Sequence, residues 1–393
     1  MVRFGIVGIG NMGSAHAMAL FRKKVKHAML TCVADTDEEK RNWADQKFKG
    51  KVKVFEDYKE MYSSGLIDAV IIATPHYFHP EMASEAFKSG LHVLVEKPAG
   101  VDAKSVEVMN TDALHSGKAF GIMFNQRTSK LFSTLKYYVD IGMLGEIKRF
   151  TWIISNWYRT QAYYESSGWR ATWNGEGGGV LLNQAPHNLD IWQWMMGMPD
   201  MLVAFCHEGL FHDVDVEDDA TIYAEYKNGA TATFITSTGE YPGTNRLEIS
   251  GTMGKAVAEY GKLKLFLLKE DERELCYNSQ EAMPTEAVTE IELDLKDEED
   301  GHILIMRNFT EHIEKGIPLI APGEEGINSL RISNAAYLSS WKNTPVNLPV
   351  GEEEYAEALC RKKVLEHKRK PEKSRLSAKF DNGKYSKRWT VQW

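Results

Sequence analysis

The sequence predicts an α/β protein with an N-terminal doubly wound parallel sheet and a C-terminal α+β domain. Strand-like and helix-like runs alternate up to about residue 125, as in parallel sheets with crossover helices. Many short strand-like runs separated by turn signals follow between Met201 and Leu293, which indicates a largely antiparallel sheet. We therefore expect three segments: residues 1–125, residues 126–345, and a terminal helix with a basic tail over residues 346–393.

Short apolar runs bounded by turn residues predict the strands, and longer periodic runs predict the helices. The predicted strands of the first segment are Val2–Val7, Met29–Asp35, Val52–Phe55, Ile67–Thr74, His92–Glu96 and Ala119–Asn125. The extended runs predicted afterwards are Ile147–Tyr158, Leu202–Phe211, Ala220–Tyr226, Ala230–Thr236, Arg246–Ser250, Lys255–Glu259 and Lys264–Leu268. The predicted helices are Ser14–Lys23, Pro80–Ser89, Ala103–Ser116, Ser129–Ile141, Gln184–Met196, Ile303–Lys315, Gly326–Trp341 and Glu352–His367.

The first predicted strand runs directly into a G-x-G-x-x-G turn followed by a helix. In a dinucleotide site, Gly8 permits the tight turn, Gly10 lets the backbone approach a pyrophosphate, and Gly13 allows close packing of helix on strand. Asn11 and Met12 stand at the helix N-terminus, where free N–H groups and the positive dipole end favour phosphates. The alternative is a glycine turn without a ligand, which the flanking strand and helix argue against.

Asp35 ends the next predicted strand, about twenty residues after the glycine motif, as in dinucleotide-binding domains. A carboxylate at this place accepts hydrogen bonds from a ribose 2′-hydroxyl. It also repels a 2′-phosphate. The sequence therefore predicts NAD as the cofactor, with NADP less favoured.

Polar and ionisable residues follow several of the predicted parallel strands. Because the carboxyl ends of parallel strands meet at one edge, where ligands bind, these turns predict a single site. The turns are Asp35, Thr74-Pro75-His76, Glu96-Lys97-Pro98 and Asn125-Gln126-Arg127.

Lys97 is the strongest catalytic candidate among these turns. A lysine beside a nicotinamide can donate a hydrogen bond to a substrate oxygen, stabilise alkoxide character and help to move the proton. The alternative is a surface lysine that happens to follow a strand.

His187 follows a glycine-rich stretch and lies on a predicted helix, four residues after Asn183. Residues at this spacing share a helix face, so the two side chains are expected to converge on one polar ligand. His187 suits a general base for a hydroxyl because the ordinary pKa of histidine is close to neutrality. The alternatives are a helix-end histidine bonded to a carbonyl and, for Asn183, a helix N-cap. We expect no catalytic role for Asp190.

An aromatic and cationic stretch links the two domains. It comprises Trp157-Tyr158-Arg159, Tyr163-Tyr164, Trp169-Arg170 and Trp173. Aromatic faces beside polar donors suit a sugar ring, and the two arginines suit hydroxyls or a carboxylate. The alternative is packing at the domain interface.

Composition narrows the class of protein. The chain has 393 residues and a net charge of −8, so nothing global indicates nucleic acid. The four cysteines are widely spaced and form no metal or disulfide pattern, which favours a cytoplasmic setting and no resident metal. We expect no signal peptide and no membrane span.

The C-terminal tail carries an excess of positive charge. Residues 361–393 hold 12 Lys/Arg against 3 Asp/Glu. This indicates either a solvated extension or a basic arm on an anionic partner or a neighbouring subunit. Trp389 and Trp393 suggest that part of the tail docks.

Over roughly residues 1–345, the order of these pieces resembles the glucose–fructose oxidoreductase/inositol dehydrogenase (Gfo/Idh/MocA) family. The matching residues are Gly8–Gly13, Asp35, Ala73-Thr74-Pro75 with His79, Glu96-Lys97-Pro98, Gly177–Gly179, and His187 with Asp190. The resemblance implies a Rossmann domain joined to a large, mostly antiparallel sheet whose open face makes a dimer or tetramer contact. It also implies that Lys97 and His187 are the catalytic residues. Asn183 departs from the family, which usually has Asp there.

The expected activity is NAD-dependent hydride transfer at a secondary alcohol or ketone carbon of a sugar, cyclitol or glycoside. Two alternatives stay open: a glycosidase or lyase that recycles its NAD, and a non-catalytic NAD-binding sensor. Besides the glycine motif and Asp35, the expected cofactor contacts are Thr74, Pro75, His76, His79, Glu96, Lys97 and Asn125. The expected substrate contacts are Lys97, Arg127, Tyr158, Arg159, Trp169, Arg170, Asn183 and His187.

Overall fold

The computed structural model describes residues 1–285 and 287–366. The strands are β1 (Val2–Val7), β2 (Ala28–Ala34), β3 (Lys53–Phe55), β4 (Ala69–Ile72), β5 (His92–Val95), β6 (Phe120–Ile122), β7 (Ile147–Ile154), β8 (Met201–Glu208), β9 (Glu217–Glu225), β10 (Thr231–Ser237), β11 (Asn245–Gly251), β12 (Gly254–Glu259), β13 (Lys262–Leu267), β14 (Thr289–Asp294) and β15 (Val346–Asn347). The helices are α1 (Asn11–Phe21), α2 (Glu38–Phe48), α3 (Tyr58–Ser63), α4 (His79–Lys88), α5 (Ala103–Ser116), α6 (Lys130–Asp140), α7 (Gln161–Tyr164), α8 (Val180–Asn183), α9 (Pro186–Met196), α10 (Glu272–Asn278), α11 (Gly301–Lys315), α12 (Gly326–Lys342) and α13 (Glu352–Leu365).

The first segment forms a six-stranded sheet in the order β3-β2-β1-β4-β5-β6. All of its pairings are parallel, which confirms the predicted doubly wound sheet. The strand order reverses between β1 and β4, where Val7 pairs with Ala34 on one side and with Ile72 on the other. This switch point creates a crevice at the carboxyl ends of the strands.

Two strands of this sheet are each four residues shorter than predicted. The predicted strand at Ile67–Thr74 is observed as Ala69–Ile72, and the one at Ala119–Asn125 as Phe120–Ile122. In each case the chain leaves the sheet for a turn and then a single 3₁₀ turn, at His76–Phe78 and at Asn125–Thr128 respectively. The polar residues of both turns therefore stand beyond the sheet edge.

The second segment forms a nine-stranded sheet in the order β14-β13-β12-β11-β7-β10-β9-β8-β15. Its pairings are antiparallel except for β7 with β10, which confirms the predicted mostly antiparallel sheet. One face is packed with aromatic side chains. Trp192 of α9 stacks against both Phe150 and Phe234, with ring-centroid distances of 5.9 and 6.0 Å respectively. This packing anchors α9 on the sheet.

Residues near the end of the second segment pack back onto the parallel sheet. The Ile122 N–H of β6 donates to the Ala321 carbonyl over 3.1 Å, and Phe309 of α11 contacts Phe4 of β1 at a centroid distance of 6.3 Å. The parallel sheet is therefore completed in space by residues that come late in the chain. Of the predicted basic tail, residues 367–393, including Trp389 and Trp393, lie outside the described residues.

A buried glutamate fixes the start of α8, which leads to the predicted site. The carboxylate of Glu217 on β9 accepts the N–H groups of Gly179 and Leu181, both over 2.9 Å, and the hydroxyl of Tyr337 over 2.8 Å. Burial raises the pKa of Glu217 to about 8, although these hydrogen bonds favour its charged form. Folding therefore favours the protonated acid, because the unfolded chain loses this proton near the ordinary pKa of glutamate.

We predict that the contribution of Glu217 to the stability of this protein falls as pH rises from about 5 to 8, since only the unfolded state releases the Glu217 proton in that range. This contribution changes by about 1.4 kcal/mol per pH unit. Glu217→Gln should remove it, which changes the pH slope of stability by that amount in urea unfolding curves recorded at several pH values. Glu225→Gln, on the same strand but exposed, is the matched control. Equal pH slopes in wild type and Glu217→Gln would contradict the assignment.

Candidate active site

The carboxyl edge of the parallel sheet and the segment from Trp157 to His187 enclose a cleft of about 590 Å³. Its predicted members are Gly8, Gly10, Asn11, Met12, Asp35, Thr74, Pro75, His76, His79, Glu96, Lys97, Asn125, Arg159, Trp169, Arg170, Asn183 and His187. Gly13, Arg127 and Tyr158 do not line it. The structure thus brings most of the predicted residues together in one place, although they come from distant parts of the chain.

The glycine turn has the geometry expected beside a pyrophosphate. Gly8 has a φ of +86°, and a side chain there would meet the Ala73 carbonyl oxygen. A Cβ on Gly13 would overlap the Gly8 carbonyl oxygen, so Gly13 is required for the contact between helix and strand. A Cβ on Gly10 would meet no atom within 4 Å, so its open side faces the space available for a ligand.

Asp35 is buried at the end of β2 and closes this turn. Its Oδ2 accepts the Ile9 N–H over 2.6 Å, and its Oδ1 accepts the Asp37 N–H over 2.9 Å. The ammonium of Lys40 lies 3.7 Å from Oδ2. The carboxylate therefore stands beside the glycine motif, where a ribose joins a pyrophosphate in this class of sheet.

Glu96 lines the cleft and is ionised. Burial disfavours its charge, but the hydrogen bond from His16 Nε2, 2.6 Å long, and the neighbouring cationic groups together outweigh burial and hold the pKa of Glu96 at about 2. His16 is itself completely buried, and burial lowers its pKa. We therefore assign a neutral His16 that donates its Nε2–H to an anionic Glu96.

Lys97 joins the two halves of the molecule. Its Nζ donates to the backbone carbonyl of Asn183 over 2.7 Å. Burial lowers the pKa of Lys97, while the carboxylates of Glu96 and Glu176 oppose this shift. The ammonium is thus more acidic than an ordinary lysine and lies at the wall of the cleft.

His187 lines the same cleft from the first turn of α9. Burial lowers its pKa well below the ordinary value, and the charge of Lys97 lowers it further. Its Nδ1 is buried without a hydrogen-bond partner among the described residues. This leaves Nε2 as the ring nitrogen open to the cleft. The alternative of a histidine bonded to a carbonyl is not observed.

The N-cap role considered for Asn183 is wrong. Asn183 ends the short helix α8, and a separate helix, α9, begins at Pro186 after an N-cap at Ala185. Proline at a first helical position is favoured because its missing N–H needs no partner there. Asn183 and His187 therefore lie on different helices, yet both line the cleft.

Glu176 was not predicted as a site residue, although it stands beside the cleft. It is 2% exposed and accepts the Ala171 N–H over 2.6 Å and a side-chain N–H of Asn183. Its backbone carbonyl accepts from His76 over 3.0 Å. Burial raises its pKa. A charged residue inside a glycine-rich run was the signal available in the sequence.

Further lining residues were also missed. His302, at the start of α11, is oriented by Asp300 through a hydrogen bond of 2.9 Å and reaches the cleft from a segment about 200 residues after Lys97 in the chain. His302 reaches the cleft only because α11 packs back onto the parallel sheet, so no local sequence pattern could predict its position. The other polar or aromatic lining residues that were not predicted are Thr36, Lys40, Glu56, Tyr58, Phe78 and Gln184, whereas Gln126 and Trp157 belong to stretches that the sequence indicated.

Two predicted substrate contacts have other positions. Arg127 is buried and bonded to Asp190 over 2.8 and 2.6 Å and to Glu325 over 2.6 Å. These partners hold it away from the lining of the cleft, in an ion pair with Asp190 that is buried within the second segment. Tyr158 is half exposed and contacts the ring of Tyr241 instead.

In the part of the chain that the structure describes, no group of His, Cys, Asp or Glu side chains is arranged to hold a metal ion. Over the same residues, no helix combines the length and the apolar character needed to cross a membrane.

The parallel sheet, the glycine turn beside Asp35 and the second, antiparallel domain define a two-domain dinucleotide-dependent oxidoreductase. Family models match both halves: the NAD-binding Rossmann fold of an oxidoreductase family over residues 2–124, and its C-terminal alpha/beta domain over residues 136–348. The chain therefore belongs to the Gfo/Idh/MocA oxidoreductase family, as the resemblance implied.

Known relatives agree with this assignment. Myo-inositol 2-dehydrogenase of Thermotoga maritima is 23% identical over 88% of this chain and 98% of that enzyme. Levoglucosan dehydrogenase of Pseudarthrobacter phenanthrenivorans is 24% identical over 71% of this chain and 77% of that enzyme. The WlbA dehydrogenase of Bordetella pertussis, solved with NADH and UDP-GlcNAcA, superposes with a TM-score of 0.74 at 23% identity, over 89% of this chain and 99% of that one. This last likeness establishes the fold.

We predict that Gly10→Ala mainly weakens NAD binding, whereas Gly13→Ala mainly lowers the stability of the fold. Gly10→Ala should leave the melting temperature nearly unchanged but weaken NAD binding about tenfold or more, since the added methyl enters the ligand space. Gly13→Ala should lower the melting temperature, because overpacking costs about 1–3 kcal/mol. Thermal unfolding and NAD titration measure both effects. A Gly10→Ala protein that binds NAD like wild type would contradict the placement of the pyrophosphate.

Proposed function

We propose that this protein transfers a hydride between NAD and a secondary alcohol or ketone carbon of a sugar, cyclitol or glycoside. The observation that carries the proposal is the meeting of Lys97 and His187 in one cleft with the glycine turn and Asp35. Relatives named as inositol and levoglucosan dehydrogenases support the substrate class.

The residues along the sheet edge fit the cofactor. Gly10 leaves space for the pyrophosphate, and Asn11 and Met12 at the start of α1 offer N–H groups to it. Asp35 would hold the ribose, with Thr74, Pro75, His76, His79, Glu96 and Asn125 forming the remaining wall. Bound NAD supplies the hydride acceptor, which no side chain can provide.

Lys97 would bind the substrate oxygen. Its lowered pKa makes it a better proton donor than a free lysine, and its charge stabilises negative character on that oxygen. The hydrogen bond to the Asn183 carbonyl fixes the direction of the ammonium. The neutral amide of Asn183 would complete the binding of the hydroxyl.

His187 would accept the proton of the hydroxyl. A base must be neutral before it acts, and the strongly lowered pKa keeps this imidazole neutral at physiological pH. Its open Nε2 is the atom that would receive the proton. Trp157 and Trp169 supply aromatic faces for the apolar side of a sugar ring.

We predict that Lys97→Ala binds NAD normally but loses turnover by about 10²–10⁴-fold, the range of positioned acid–base groups. A screen of sugars, cyclitols and glycosides by NADH fluorescence, with products identified by NMR, first defines the substrate. Lys104→Ala, exposed on α5, is the control for loss of a lysine. Turnover at the wild-type rate in Lys97→Ala would refute the mechanism.

We predict that Asp35→Ser shifts the cofactor preference from NAD toward NADP by about tenfold or more, because a charged hydrogen-bond acceptor is lost. Lys40, 3.7 Å from Asp35, then becomes available to a 2′-phosphate. Kinetic constants for both cofactors measure the shift. Asp45→Ser, on the exposed side of α2, is the control. An unchanged preference would exclude Asp35 as the ribose ligand.

A further inference from the structure

One end of the cleft is rich in positive charge. Lys97, Arg159 and Arg170 line this end, far along the sheet edge from Asp35 and Lys40. The carboxylate that lines the cleft there, Glu96, is already bonded to His16. Holding several cations close together in a partly buried cleft costs free energy unless an anion compensates their charge.

The guanidinium of Arg170 is positioned to bind an anion. Its guanidinium carbon lies 4.6 Å from the ring centroid of Trp169 and 4.8 Å from that of Tyr163. Contact with two aromatic rings restricts the movement of the group and leaves its N–H edge for binding. The side chain is 12% exposed, so the edge is accessible from the cleft.

Few protein acceptors use this edge. Nη1 of Arg170 donates to the Tyr163 hydroxyl over 3.1 Å and lies 3.7 Å from Glu176. Its Nε and Nη2 donate to none of the residues that the structure describes, and neither is a buried unsatisfied atom. Two N–H donors side by side on a fixed plane match the two oxygens of a carboxylate.

Glu176 compensates this positive end only in part, since it lies 3.7 Å from Nη1 of Arg170 and opposes the lowering of the Lys97 pKa. It is 2% exposed and does not line the cleft, and its oxygens are bonded to the Ala171 N–H and the Asn183 amide. Arg159 adds to the positive charge at this end, since its guanidinium carbon lies 5.2 Å from the ring centroid of Tyr163. Burial lowers the pKa of Lys97, and both arginines lower it further, which shows that the three charges act on one another.

We propose that the substrate is a sugar acid, and that the N–H edge of Arg170 binds its carboxylate while Lys97 binds the hydroxyl that is oxidised. This inference rests on the proposed sugar oxidoreductase function and narrows its substrate class. Neutral sugars offer no anion to this end of the cleft and would leave the N–H edge of Arg170 without a charged acceptor.

The test compares sugar acids with neutral sugars of the same ring. D-glucuronate, D-galacturonate and aldonates are titrated calorimetrically into the NAD-saturated full-length protein, alongside D-glucose and D-galactose. At least one acid should bind about 30-fold or more tightly than its neutral counterpart, the effect expected of a partly buried charge pair. Arg170→Gln should remove this difference while leaving NAD affinity unchanged. Arg149→Gln, on the exposed start of β7, controls for the loss of one positive charge.

The outcomes are distinguishable. Equal binding of acids and neutral sugars, failure of every acid to bind, or retention of the acid preference in Arg170→Gln would overturn the inference. Turnover of neutral sugars as fast as acids would also overturn it, yet would leave the proposed oxidoreductase function standing. Arg170-dependent binding of an acid without any NADH formation would instead support the inference and contradict the proposed hydride transfer.

Discussion

The hydrogen bond from Lys97 to the backbone carbonyl of Asn183 connects the two domains at the cleft. Lys97 is placed by the parallel sheet, because it follows β5 at the carboxyl edge. Asn183 is placed by the other half, because Glu217 on β9 holds the first turn of α8 through Gly179 and Leu181. Any shift of one domain against the other would therefore displace the ammonium from its acceptor, so the site depends on this alignment.

Burial gives the residues at this junction their chemical character. Removal from water lowers the pKa of Lys97 and of His187, and raises that of Glu176. Glu96 is the exception, because the hydrogen bond from His16 and the neighbouring cationic groups together outweigh the effect of burial on its pKa. The cleft thus holds a lysine that releases its proton more easily than usual beside an imidazole that stays neutral, although both groups are ordinary in the sequence.

The sequence predicted those parts of the site that a simple geometric rule controls. Parallel strands bring their carboxyl ends together, so Asp35, Glu96 and Lys97 could be placed at one edge from their positions after predicted strands. The break between α8 and α9 was missed, although Pro186 carried a signal for a helix start. Arg127 looked like a site residue because it follows β6, but its partners Asp190 and Glu325 are distant in the chain and only the fold reveals them.

The amide at position 183 changes how the site holds its negative charge. The resemblance implied a carboxylate at this position, where this chain has the neutral Asn183. The structure places the carboxylate of Glu176 directly behind Asn183, where it accepts the amide N–H and raises the pKa of Lys97 against the effect of burial. Because that amide N–H is committed to Glu176, the side-chain oxygen of Asn183 is the atom left to meet a substrate. The negative charge of Glu176 is thus kept near Lys97 but does not line the cleft. The cleft surface presents the neutral side-chain oxygen of Asn183 and an excess of cations instead.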